Sequence, residues 1–140
     1  MNRIFAPMYE LWSSAYINFE NFSNNLYDSN VYVTVGILMV LTSLMLEAIY
    51  YYALSNYGNL YKTRFWFVWL LLILVMNFST AYFYSTTEMA KLPWGSNGCP
   101  YTFTQYFTFS MVNVLWALIF SFVFSLILKI KSVRASRTPF

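Results

Sequence analysis

The sequence predicts an all-α integral membrane protein with three transmembrane helices and an N-terminal amphipathic helix at the interface, and three observations carry that expectation. Only 8 Lys and Arg and 5 Asp and Glu occur in 140 residues, against 59% hydrophobic residues, too few charges to clothe a soluble surface. Those charges are segregated: residues 65–87 and 92–128 carry none, and residues 31–61 carry only Glu47. Each stretch is long enough to cross a hydrocarbon layer, which takes roughly 20 apolar residues at about 1.5 Å each. Continuous apolar runs without polar alternation satisfy their backbone as helices rather than as barrel strands.

Residues 1–30 lack a run of 7–15 apolar residues ahead of a small-residue cleavage site, so they read as a retained segment and not as a secretory signal. Pro7 suits a first helical turn, and Phe5, Met8, Tyr9, Trp12, Tyr16 and Phe19 follow at steps of three and four. Glu10, Ser13, Ser14 and Glu20 fall mostly elsewhere, the pattern of an amphipathic helix lying along the outer membrane surface or docked on a partner. The docking or interfacial candidates are Phe5, Met8, Trp12, Tyr16 and Phe19.

The first spanning helix covers 31–54 and closes on Tyr50, Tyr51 and Tyr52, aromatic residues of the kind that settle at headgroup level. Residues 55–64 form a connection, with a turn-like Ser55-Asn56-Tyr57-Gly58-Asn59 and then Lys62 and Arg64. The second helix covers 65–87, with Trp66 and Trp69 at one end and Tyr82 and Tyr84 at the other. Residues 88–104 form a second loop, because Pro93, Gly95, Gly98 and Pro100 within it exclude a helix interior. The third helix covers 105–128, and 129–140 is a basic tail with Lys129, Lys131, Arg134 and Arg137.

Orientation follows from short-loop charge. Three crossings place 55–64 and the tail on one side, with six basic residues, and the N-terminal segment and second loop on the other, with Arg3 and Lys91 only. Basic residues stay on the cytoplasmic side. The expected topology is N-out and C-in, and the expected location is a bacterial cytoplasmic membrane.

The chemical inventory is short. The sequence has no His, one Cys (Cys99) and four dispersed Gly, which removes histidine-based triads, multi-cysteine metal sites and a phosphate-binding glycine loop. No cofactor, nucleic acid or small-molecule substrate is inferred, and the expectation is that the chain is not an enzyme. Its expected partners are the lipid bilayer and other membrane subunits or copies of itself.

Glu47 is the residue that needs explaining. A charge at the centre of a spanning helix costs roughly 2.5–3.5 kcal/mol on insertion scales, so a carboxyl there takes a partner or a proton. The first reading is an ion pair with Lys62, Arg64 or Lys129, whose long stems can reach inward, or a hydrogen-bonded carboxyl. The sharper reading is a proton or cation site, with Asn77 and Asn113 as further intramembrane polar groups. In the third helix Ser110, Asn113, Ala117, Ser121 and Ser125 make one small or polar stripe, and Gly36 and Ser43 share the face of Glu47. Such stripes let helices approach closely, while Trp116, Phe120, Phe122 and Phe124 are expected to face lipid or neighbouring subunits. The function expected from these features is a non-catalytic subunit that anchors, scaffolds or assembles a secretion, export or transport complex. The alternative is a homo-oligomeric ion or proton channel or holin-like pore that uses Glu47 and the stripe.

Overall fold

The computed structural model describes residues 2–13, 20–54, 62–94 and 99–130. It is all-helical: α1 (Asn2–Ser13), α2 (Glu20–Asp28), α3 (Val31–Tyr52), α4 (Thr63–Ala90) and α5 (Phe103–Lys129). The last three are long and apolar enough to cross a membrane, which makes this an integral membrane protein. Ser55-Asn56-Tyr57-Gly58-Asn59 and the tail residues Lys131, Arg134 and Arg137 lie outside the described residues.

α3 and α5 run parallel. Tyr32 packs on Phe109 near one end, with ring centroids 5.9 Å apart, and Tyr51 hydrogen-bonds Ser125 near the other, at 2.5 Å. α4 runs antiparallel to α3, since Thr42 approaches Asn77 (3.1 Å) while Trp69, earlier in α4, donates to the carbonyl of Leu46, later in α3 (2.9 Å). The three helices therefore share one inner seam, where small and polar residues lie buried among larger ones such as Met39, Trp66 and Ile73.

Two spans are longer than expected. α4 continues to Ala90 through Ser85, Thr86 and Thr87, whose hydroxyls bond back to the carbonyls of Tyr82 and Phe83. Satisfied in this way, they extend a helix instead of ending it. α5 starts at Phe103 because Gln105 Oε1 accepts the Thr102 backbone N–H at 2.6 Å, half of a capping box that the Thr-x-x-Gln spacing spells out. α3 stops at Tyr52, slightly short of 54.

The N-terminal segment forms two helices, not one. α1 begins at Asn2, so Pro7 sits inside it and not in its first turn. Its missing N–H deprives only the carbonyl of residue 3 of a helical donor. Ala6, Tyr9, Phe22 and Leu26 are buried and join Val31, Tyr32, Val35, Tyr106 and Phe109 in one cluster. α2 is tied to the second loop: Phe22 meets Tyr101 edge-on at 4.8 Å, and Asn25 donates to the Tyr101 hydroxyl at 2.6 Å. Trp94 closes the same end, its indole N–H bonded to the Met89 carbonyl at 2.6 Å.

Asn30 makes the sharp turn between α2 and α3 with a left-handed backbone, φ 55° and ψ 21°. Asn tolerates this conformation and a β-branched residue does not. Asn30→Val is expected to cost about 1–2 kcal/mol, read as a lower thermal midpoint in detergent, while Asn30→Gly holds the midpoint. Equal midpoints for both variants would count against the turn.

Candidate functional site: the buried polar column of the bundle

Polar groups that a lipid-facing surface would reject line the seam from end to end. Ser43, Glu47, Asn77, Ser85, Gln105, Ser110, Asn113, Ser121 and Ser125 are all buried. The sequence-predicted stripe on α5 thus faces the chain's own helices, with Ala117 fully buried in its middle.

In the half nearer α2, the column is a complete network. Tyr9 donates to Asn113 Oδ1 at 2.7 Å, and Asn113 Nδ2 donates to the Asn77 backbone carbonyl at 3.0 Å. Asn77 Nδ2 in turn bonds the Ile73 carbonyl at 3.0 Å, and its Oδ1 is approached by Thr42. One side chain therefore joins α1, α4 and α5. Burial pushes the Tyr9 phenol above its ordinary range, which keeps it a neutral donor to the amide. Tyr9 also stacks on Tyr32, centroids 5.3 Å apart, and packs on Phe109 at 5.2 Å.

Asn113 lies roughly 15 Å along α5 from Phe103 at 1.5 Å per residue, so α1 reaches well down the bundle. Two further contacts seat it. The Phe5 ring presses on Gly36 where a Cβ would otherwise be, and the Trp116 indole N–H donates to the Met8 carbonyl at 2.8 Å. Trp116 is thus half-buried against α1, a correction to its expected lipid-facing role: a buried indole N–H seeks an acceptor, and α1 supplies one. Phe122 does face outward, and Trp116, Phe120 and Phe124 stack along one side of α5. Of the N-terminal candidates, Phe5 and Met8 are half-buried, while Tyr16, Phe19 and the side chain of Trp12 fall outside the described residues.

The other half of the column is incomplete. Glu47 is fully buried, yet both carboxyl oxygens lack a hydrogen-bond partner among the described residues, as do the hydroxyls of Ser43 and Ser121. The Trp66 indole on α4 interacts with the carboxyl. The expected ion pair is not formed. Lys62 and Arg64 are exposed, Lys129 is only half-buried at the end of α5, and the Lys91–Glu88 pair at 2.6 Å involves neither Glu47 nor these three. The physical reason is direction: the carboxyl points into the seam, whereas cationic stems at helix ends extend toward water.

Tyr9, Tyr51, Thr42 and Trp66 complete the site beyond the residues singled out from sequence. Helical spacing put Tyr9 on the amphipathic stripe, but a tyrosine in a stripe does not disclose which amide its hydroxyl will find.

A small polytopic α-helical membrane protein is the class that this fold and column define. No family model, no curated protein and no solved structure matches the chain.

Proposed function

We propose that the protein is a non-catalytic membrane subunit that anchors, scaffolds or assembles a larger secretion, export or transport complex. In this reading it sits in a bacterial cytoplasmic membrane with its C-terminus cytoplasmic, as the excess of basic residues at that end favours. The apolar faces of α1 and α2 that do not meet the bundle lie against the outer interface.

The observation that carries the reading is the division of surfaces. The polar and small residues turn inward, and an apolar groove of about 260 Å³ between α4 and α5 is lined by Trp66, Phe67, Leu70, Leu118 and Phe122. Large aromatic and aliphatic walls of this kind accept a projecting side chain of a neighbouring helix. The competing reading, a homo-oligomeric channel or holin-like pore, needs Glu47 and the α5 stripe on a surface shared between copies. They are buried within one chain, which weighs against it.

The test is gentle purification from the native membrane followed by identification of co-purifying proteins. Stoichiometric recovery of other membrane proteins is expected. Filling the groove with Leu118→Trp is expected to reduce that recovery on the order of tenfold, the effect of 1.4 kcal/mol in binding, with helicity unchanged. A pure homo-oligomer, or a Leu118→Trp variant with full recovery, would overturn the reading.

A further inference from the structure

The unfinished half of the column carries an inference that stands whether or not the chain works in a complex. Several hydroxyls on the spanning helices have backbone acceptors: Thr42 bonds the Leu38 carbonyl at 2.7 Å, Ser79 that of Val75 at 2.9 Å, and Ser110 that of Tyr106 at 2.8 Å. Ser43 and Ser121 are fully buried but bond nothing among the described residues. Helical register brings them to Glu47. Ser43 lies one turn before Glu47 on the same face of α3. Tyr51, one turn after Glu47, bonds Ser125, and Ser121 lies one turn before Ser125, so along parallel helices Ser121 falls at the level of Glu47.

Three buried groups with unmet hydrogen-bonding capacity thus share one layer. An ionised carboxylate there would be desolvated with no cation beside it among the described residues, an arrangement that disfavours the charged form. Among the described residues no cationic group stands in this layer: α3 adds the phenols of Tyr50 and Tyr51, α4 presents Trp66 and Trp69, and α5 presents Ser121 and Ser125, with Lys129 more than one turn further on. Lys62 and Arg64 are exposed.

We propose that Glu47, in a layer it shares with Ser43 and Ser121, is an intramembrane proton-binding site. With one proton taken from water, the carboxyl becomes neutral and the buried charge is removed. Release of that proton leaves a bare charge between α3 and α5, so occupancy is coupled to the packing of those two helices.

Dicyclohexylcarbodiimide, an apolar reagent that requires a protonated carboxyl, is the probe. The full-length protein in phosphatidylcholine vesicles would be treated across pH 5 to 10, in potassium or sodium chloride, and the adduct mapped by peptide mass spectrometry. Modification is expected at Glu47, falling as pH rises, and lost in Glu47→Gln. Protonated-carboxyl absorption in the infrared, present in wild type and missing from Glu47→Gln, provides a second readout. An unmodified Glu47 in folded protein with no such absorption, or modification that ignores pH, would overturn the proposal. Sodium protection at constant pH would overturn it in favour of a metal cation on the same oxygens.

Discussion

Exchanging Gly36 for valine is expected to unseat α1 while leaving the three long helices in place. The Phe5 ring occupies the space that any Cβ at position 36 would enter, and in a close-packed interior the overlap is relieved by moving the ring and the helix that carries it. Overpacking of this kind costs about 1–3 kcal/mol. The variant should therefore melt lower in detergent, and α1 amides should exchange with solvent faster, while the cores of α3, α4 and α5 stay protected. The partner substitution makes the expectation specific: Phe5→Ala should restore much of the loss in Gly36→Ala, because it vacates the contested space. Unchanged melting and exchange in Gly36→Val would mean that α1 does not rest on α3 in the bilayer.

The second large effect is expected at Asn113. Its carboxamide is the acceptor for the Tyr9 hydroxyl and a donor to α4, so Asn113→Leu strands a buried phenol. A buried group left unsatisfied costs about 1–3 kcal/mol, whereas a single interhelical hydrogen bond in membranes averages about 0.6 kcal/mol. The loss should therefore exceed that of an ordinary polar contact. Tyr9→Phe removes the stranded hydroxyl, and the Tyr9→Phe, Asn113→Leu double variant should be more stable than Asn113→Leu alone. Unfolding titrations of the four proteins give the coupling. Strictly additive losses would exclude the bond.

The spanning architecture is legible in the sequence because the bilayer imposes a coarse rule: charges sit at the ends and apolar residues lie between. The same rule singles out Glu47, and three-and-four spacing places Ser110, Asn113, Ala117, Ser121 and Ser125 on one face. Tertiary choices are less legible. Nothing in the pattern distinguishes an aromatic stripe that rests on lipid from one that seats between α3 and α5, since both surfaces are apolar; the structure places Phe5, Met8 and Tyr9 on the chain's own helices. Likewise Trp116 resembles its aromatic neighbours until an acceptor, the Met8 carbonyl, is found for its N–H. The ion pair expected for Glu47 depended on reach, but burial of the carboxyl depends on direction, which a one-dimensional sequence states only through its helical register. The Thr102–Gln105 pair, by contrast, is a readable start signal that corrects the third helix by two residues.

The seating of α1 bears on how the molecule is made. Tyr9 finds Asn113 across a sequence separation of 104 residues, and Met8 finds Trp116 across 108. The cleft for the first helix is therefore completed only when the last helix arrives. Until then Tyr9 and Phe22 lack their covering residues, and such transiently exposed apolar surfaces invite mispairing. Contacts between distant chain segments also form slowly, since the intervening chain must first be ordered. Closure of α1 thus follows the arrival of α5. Truncation within α5 would leave a chain that inserts α3 and α4 yet exposes its own beginning to membrane quality control.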